Sequence, residues 1–407
     1  MTLQQNAISL QYLYRSSTRI NNMLAQGKRF GLMLCTALLA ASITSCGSSS
    51  DSGSNGLPAS SRIGHVFVLI LENEDYDNSF GASSPAPYLA QTLPAKGALA
   101  QNYYGIGHNS LDNYISMISG QGPNLVTQLD CQTYSDFTGT TLGANGQAIG
   151  QGCIYPTSVA SLPDQLSKAG LSWKGYMEDM GADPTREAAT CGHPKIGSKD
   201  GTQAASATDQ YATRHNPFMY FHSVIDDQAS CDSHVVNLDK LPADLGSVDS
   251  TANYTFITPS LCHDGHDSPC ANGEPGGLTS INTFLQQWVP QILASPAFQK
   301  DGLLIITFDE SNGVTSDSSA CCGEGPGPNT LLPGLLGPGG GKVGAVLLSP
   351  FIKAGTVTAT AYNHYSMLRS VQDIFGLAYL GYAGASGQAG FGSDVYTQVM
   401  PEFPAKQ

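Results

Sequence analysis

Glu72 and Asn73 close an uninterrupted apolar run, His65–Leu71, and further along Ser110 stands in the segment Gly107-His108-Asn109-Ser110-Leu111-Asp112-Asn113-Tyr114. A carboxylate and a carboxamide at the carboxyl end of a strand can hold a hard cation. A serine at the start of a helix can attack an electrophile there, because the helix dipole and its free N–H groups favour an anion. Cation, nucleophile and anion site together point to phosphoryl transfer.

Other polar groups obey the same rule of placement. The run Ser260-Leu261-Cys262-His263-Asp264-Gly265-His266-Asp267 comes after Tyr254–Thr258, Asp309-Glu310 comes after Leu303–Phe308, and His364 opens the pattern Tyr365–Leu377. Taken singly, each is an ordinary cap, loop acid or solvated turn. Taken together they fall after successive strands, and in an open α/β sheet ligands gather outside the carboxyl ends of the strands. They are therefore expected to converge on one rim.

The elements that must carry them are legible as runs. Strands are expected at His65–Leu71, Leu171–Tyr176, Tyr254–Thr258, Leu303–Phe308 and Val343–Ser349. Most are near-continuously apolar rather than alternating, which suits a central, mostly parallel sheet. Helical spacing lies between them, at Ser161–Ala169, Ile281–Leu293 and Tyr365–Leu377, so the class is α/β. Two stretches, 120–152 and 311–341, read as loops, the second dense in Gly and Pro.

The start of the chain has a different character. Lys28-Arg29 precede an apolar run from Phe30 to Ala41 and then Ile43-Thr44-Ser45-Cys46. The run is short for a membrane span and has the proportions of a signal segment. The expectation is a lipoprotein leader over 1–46 with Cys46 lipidated, a Gly/Ser tether over 47–61, and a catalytic domain over 62–407. A plain secretory signal is the alternative, and Met23 would itself open a well-proportioned leader. The location expected is a bacterial cell envelope, lipid-anchored, periplasmic or secreted.

Eight cysteines remain beyond Cys35 and Cys46, an even number that suggests disulfides in an exported chain. Cys131–Cys153 and Cys262–Cys270 are local pairings of this kind, and the absence of any CxxC pair weighs against a zinc cluster. Four of the 18 basic residues and none of the 32 acids precede Cys46, so the formal charge of −14 becomes −18 after cleavage. Such a balance argues against nucleic-acid binding and against an electrostatic grip on anionic lipid. A small anionic substrate remains compatible, because a metal inverts the local field.

The ordered set LENEDYDNSFG, GHNSLDNYISMISG, LSWKGYMEDM, RHNPFMYF, PSLCHDGHD, IITFDE and NHYSMLRSVQDIFGL resembles the bacterial and fungal phosphoesterase family, over about Ile63 to Leu377. That family holds secreted acid phosphatases and phospholipase C-type enzymes and belongs to the alkaline phosphatase superfamily. The resemblance implies an alkaline-phosphatase-like three-layer sandwich, with a central mostly parallel sheet flanked by helices. It implies a divalent metal ion (Ca, Mg or Zn) at Glu72, Asn73, Asp309 and Glu310, with Ser110 as nucleophile in a Ser-x-x-Asn-Tyr segment. Asn113, His108 and Asp264 would contact substrate. His263, His266 and His364 would bind phosphate and handle protons where alkaline phosphatases hold a second metal. Asp112 stands where many relatives carry proline, and Ser260 where they often carry a longer side chain.

The chemistry expected is hydrolysis of small phosphate monoesters through a phosphoserine, with membrane contact only through the N-terminal lipid. Cleavage of phospholipid headgroup diesters and a catalytically inactive surface binding protein are the alternatives. Retention of Ser110, Glu72 and Asp309 together disfavours the last.

Overall fold

The computed structural model describes residues 58–406. The expected leader with Cys46, and most of the tether, lie outside the described residues.

Eight strands form one sheet. In chain order they are β1 (His65–Leu71), β2 (Ala98–Ala100), β3 (Trp173–Met177), β4 (Val235–Asn237), β5 (Tyr254–Thr258), β6 (Gly302–Phe308), β7 (Ala345–Leu348) and β8 (Thr356–Thr358). Their order across the sheet is β8-β2-β7-β6-β1-β5-β3-β4. β1 sits in the centre, parallel to β5 on one side and β6 on the other. Within this sheet β7 alone runs antiparallel, to both β6 and β2. The central strands are buried throughout, as their continuous Val, Ile, Leu and Phe content requires of strands covered on both faces. Helices flank this sheet, so the architecture is the expected α/β sandwich.

Four helices bear on the site and its surroundings: α1 (Ser110–Ser119), α2 (Leu162–Lys168), α3 (Gly277–Ala294) and α4 (His364–Phe375). α1 is buried along its whole length and ends on Gly120 in the left-handed conformation, φ 67°, the backbone state in which a side chain would be strained. α2 begins with a capping box between Ser161 and Asp164, which satisfies two orphan donors at once. α4 is capped by Asn363, whose side chain accepts from Ser366 N at 2.9 Å.

The expected elements are present within a few residues of their ends. Three strands have no counterpart among the expected runs: β2, β4 and β8 have three residues each, too short to stand out in the sequence. The loop over 120–152 also holds a small hairpin, Thr138–Leu142 against Ala148–Gln151. The segment 311–341 joins the neighbouring strands β6 and β7 without a strand of its own.

Cys131–Cys153 and Cys262–Cys270 are bonded as expected, together with Cys191–Cys231 and the adjacent pair Cys321–Cys322. Among the described residues no helix is long and apolar enough to cross a membrane.

Candidate active site

The site is assembled at the carboxyl ends of three neighbouring strands. β1 delivers Glu72-Asn73, β6 delivers Asp309-Glu310, and the loop after β5 delivers Asp264 and His266. The strands are pinned where they end: Asp309 N donates to Leu71 O at 2.9 Å, and Glu72 N donates to Asp264 O at 2.8 Å. Gly265 sits between the last two site residues at φ 107°, and a Cβ there would lie 2.5 Å from Ile281 Cδ1. Only glycine lets the chain turn so close to α3.

Ser110 is the first residue of α1 and is buried. Its Oγ donates to Glu72 Oε2 at 2.8 Å. The same carboxylate oxygen accepts from Asn73 Nδ2 at 3.0 Å. Asp309 Oδ1 accepts from Asn73 N at 3.2 Å and from Glu310 N at 2.6 Å. A cavity of about 390 Å³ opens above, lined by Asn73, His108, Asn109, His266, Glu310 and Leu335 among others.

Negative charge is concentrated here. Glu72, Asp112, Asp264, Asp309 and Glu310 are all buried. Burial pushes the Glu72 carboxyl well above its usual range, and the charges of Asp309 and Asp264 push it further. Burial likewise raises Asp264 and Glu310, and brings Asp309 to about 7. Asp112 is raised by burial and by Asp130, and neither of its oxygens has a partner.

His215 lies in the middle of this charge. Nδ1 is 3.1 Å from Asp264 Oδ2, and Nε2 is 3.4 Å from Glu72 Oε1. Burial drives its pKa well down, assisted by Arg214 and His266, so the ring is neutral and carries one proton. With that proton on Nδ1 toward Asp264, the Nε2 lone pair faces Glu72 Oε1, and both atoms lack a hydrogen-bond partner. Two buried acceptors facing each other need a proton or a metal cation between them. Glu72, His215 and Asp264 each offer one ligand atom within 4.8 Å of the others, and Asp309 Oδ2 is a further buried oxygen with no partner. The donors present therefore fit a divalent ion, held by carboxylates and one imidazole.

The other expected residues divide between the cavity and the framework behind it. His266 Nδ1 is 2.7 Å from Asp267 Oδ1, and Nε2 is 3.0 Å from Arg214 Nη2. A guanidinium can only donate, so Nε2 is the acceptor and the ring proton sits on Nδ1. His108 lines the cavity, with Nδ1 3.3 Å from Glu310 Oε2. Asn113 is directed at the backbone: its Oδ1 accepts from Ile106 N and Gly107 N, and its Nδ2 donates to the carbonyls of Gly107 and Asn109. Its amide braces the turn before Ser110. His364 is fully buried, its Nε2 2.6 Å from the Asp309 carbonyl and its Nδ1 3.2 Å from the Tyr103 hydroxyl. His263 is engaged by Glu178 at 2.9 Å and Glu274 at 3.3 Å. The hydrogen bond to Glu178 leads in raising its pKa to about 9, and it does not line the cavity.

Sequence patterning does not single out Arg214 and His215. They lie in a 3₁₀ turn, Thr213–His215, reached through the long irregular stretch after β3, so reading strand ends could not find them. The available signal is RHNPFMYF itself, one of the segments that carry the family resemblance, although the resemblance attaches no role to its first two residues.

A profile described as the phosphoesterase family matches residues 83–378. The phosphate-repressible acid phosphatase of Penicillium chrysogenum is 27% identical over 316 residues, covering 77% of this chain and 60% of that protein. The chain thus spans about six-tenths of the length of the fungal relatives it matches. A phosphatidylinositol-3-phosphatase of Mycobacterium tuberculosis is 23% identical over 333 residues, covering 81% of this chain and 83% of that protein. Among solved structures, a protein in the alkaline phosphatase superfamily from Vibrio parahaemolyticus aligns with a TM-score of 0.43 at 11% identity, over 79% of this chain and 68% of that one.

Proposed function

This chain belongs to the phosphoesterase family, and from that premise we propose that it is an acid phosphatase that hydrolyses phosphate monoesters through a phosphoserine at Ser110. One observation carries the reading: Ser110 Oγ–H is aimed at the buried Glu72 carboxylate, at the start of a helix, and the neighbours of both residues, Asn109 and Asn73, line an open cavity.

The chain's own groups account for the steps. Glu72 Oε2 already accepts the Ser110 hydroxyl proton, so it takes that proton as Oγ bonds to phosphorus and the ester P–O bond breaks. The dipole of α1 favours the developing charge at its start, where Leu111 N is already committed to Asp130 Oδ1 at 3.0 Å. Arg214, through His266, brings positive charge to the mouth. The leaving oxygen takes its proton at the mouth, where Glu310 lies beside His108, while the ring proton of His266 is held by Asp267. Water then attacks the phosphoserine and gives its proton to the mouth group that lost one, while Glu72 Oε2 returns its proton to Oγ as the P–Oγ bond breaks. A divalent ion held by Glu72, Asp309, His215 and Asp264, with Asn73 and Glu310 beside them, would supply charge neutralisation for the phosphoryl oxygens and lower the pKa of the serine hydroxyl. The imidazole in the set suits a borderline ion such as zinc better than calcium.

We further propose export, with Cys46 as the lipid attachment point. The four disulfides agree with an oxidising compartment. Recovery of the Cys46→Ser protein in the membrane fraction would count against the anchor.

The test of the reaction is to quench turnover of p-nitrophenyl phosphate with acid and map phosphate by mass spectrometry. Phosphate on Ser110 is the expected result; turnover with no phosphorylated peptide would overturn the covalent route.

Phospholipid headgroup hydrolysis is the second reading, and a patch beside the mouth favours it. Leu331, Leu332 and Leu336 are 77%, 51% and 70% exposed, and Leu335 lines both the catalytic cavity and the adjoining apolar groove. Faster release of headgroup from phosphatidylcholine micelles than of nitrophenol from the aryl ester would favour it.

A further inference from the structure

An apolar groove of about 500 Å³ adjoins the catalytic mouth, built largely by the loop that joins β6 to β7. Leu125, Leu331, Leu332 and Leu335 line it, and none of its lining residues is ionisable. Leu125 and Leu331 are 57% and 77% exposed. A leucine exposed singly is ordinary surface, whereas several lining one groove mark a place where something apolar binds. The loop's own sequence agrees: from Gly325 to Gly341 it carries no charged residue, in a chain whose formal charge is −14.

Two features fix the groove to the mouth. Leu335 belongs to both linings. Its backbone is held at φ 60°, a left-handed state that is costly for a side chain of this size. Asn109, which lines the mouth beside Ser110, donates through Nδ2 to the carbonyl of Gln128, which lines the groove. The Gln128 side chain then ties down the loop. Its Nε2 donates to the carbonyls of Leu332 and Pro333 at 2.8 Å each, and its Oε1 accepts from Thr330 Oγ1 at 3.2 Å. The Asn329 amide is likewise engaged, by Gly150 N and the Ala148 carbonyl. The polar side chains of the lining are thus spent within the protein, and the groove offers a ligand carbon.

In-line displacement puts the leaving oxygen on the side of phosphorus away from Ser110 Oγ, toward the mouth through which substrate enters. We propose that the organic part of the leaving group lies in this groove, so that the preferred substrates are phosphate monoesters of apolar, chain-like alcohols, a preference that rests on the phosphatase reading above. A sugar or nucleoside would strip water from its hydroxyls there without regaining hydrogen bonds. An alkyl chain gains by leaving water. The groove touches the chain alike before and during the reaction, so its effect falls on KM rather than on kcat.

The experiment compares methyl, butyl and octyl phosphate as substrates of the metal-loaded full chain, at concentrations where octyl phosphate is dispersed as single molecules. Each methylene that enters the groove should raise kcat/KM about two- to fourfold, so octyl phosphate should exceed methyl phosphate at least about tenfold, through KM. Leu331→Ser combined with Leu332→Ser should flatten the series. The measure is the ratio of octyl to methyl phosphate within one preparation, so any loss of folded enzyme cancels. Leu125→Ser tests a separate segment of the lining in the same way. Calorimetry with methylphosphonate and octylphosphonate, which are not hydrolysed, gives the comparison without turnover. Tighter binding of the octyl compound with no turnover of any ester would overturn the phosphatase reading and not the groove. Turnover with equal kcat/KM across the series would overturn the groove alone. So would a gain that appears only once octyl phosphate forms micelles, or wild-type ratios in both variants.

Discussion

Ser110 Oγ and Glu72 Oε2 are 2.8 Å apart although 38 residues separate them in the chain, and both are buried. A serine hydroxyl with its proton already committed to a carboxylate is a nucleophile in waiting. Ser110→Ala deletes that oxygen and little else. Turnover of p-nitrophenyl phosphate should fall on the order of 10³-fold or more, while circular dichroism and the melting temperature stay close to wild type. Activity near wild type would remove Ser110 from the role.

Chelation should act on stability as well as on activity. Without a cation, the carboxylates of Glu72, Asp264 and Asp309 repel one another out of water. Dialysis against a chelator should abolish turnover and lower the melting temperature, and a divalent ion should restore both. At 100 times its Kd an ion adds about 2.7 kcal/mol. Full activity and an unchanged melting curve in protein shown by elemental analysis to be metal-free would contradict the cation site.

Glu72→Gln should change sign with loading. In metal-free protein it removes an uncompensated buried charge and should stabilise by about 1–3 kcal/mol. In metal-loaded protein it removes a ligand and should destabilise. Urea denaturation of both proteins, with and without chelator, gives the four numbers required. The same direction under both conditions would mean that Glu72 is not a ligand.

His364 should set part of the acid limb of stability. Burial lowers its pKa from 6.5 to about 4, so between these values the unfolded chain binds the proton that the folded one refuses. Its contribution is fully present above about pH 6.5 and is lost as pH falls toward 4, on the order of 3 kcal/mol. His364→Gln, which keeps a donor for the Asp309 carbonyl, should lose less stability over that window than wild type. An identical loss in both would show that the ring is not held neutral.

Glu324 should act in the opposite direction. Its carboxyl is raised from 4.5 to about 8 by burial, so the folded chain keeps a proton that the unfolded chain gives up. Stability is fully present below about pH 4.5 and lost as pH rises through 8. Glu324→Gln should therefore be relatively more stable at about pH 8 than at about pH 5, judged by melting curves. A difference independent of pH would place the carboxyl in water.

The sequence is most informative about the parts that are continuous in it. β1, β5 and β6 are near-continuous apolar runs, and the acids that follow them stand where a rim-based reading places them. The direction of β7 is not legible, because an apolar run reads the same for a parallel or an antiparallel partner. Nor is the inward turn of His364: as the first residue of α4 it looks like a surface cap, and packing against Tyr103 and the Asp309 carbonyl buries it. His215 escapes notice because its partners Glu72 and Asp264 lie 143 and 49 positions away, and only the fold joins them.

The sheet order has a consequence for biosynthesis. β1 is among the first elements of the described chain to emerge, yet its partners β5 and β6 begin at residues 254 and 302. Until they arrive, Glu72 has neither Asp264 nor Asp309 beside it, and the central strand of the sheet is an unsatisfied edge. A nascent chain stopped short of Phe308 can be neither armed nor properly closed. The proposed site therefore cannot assemble until the chain has passed Asp309, and hydrolysis through it requires at least that length.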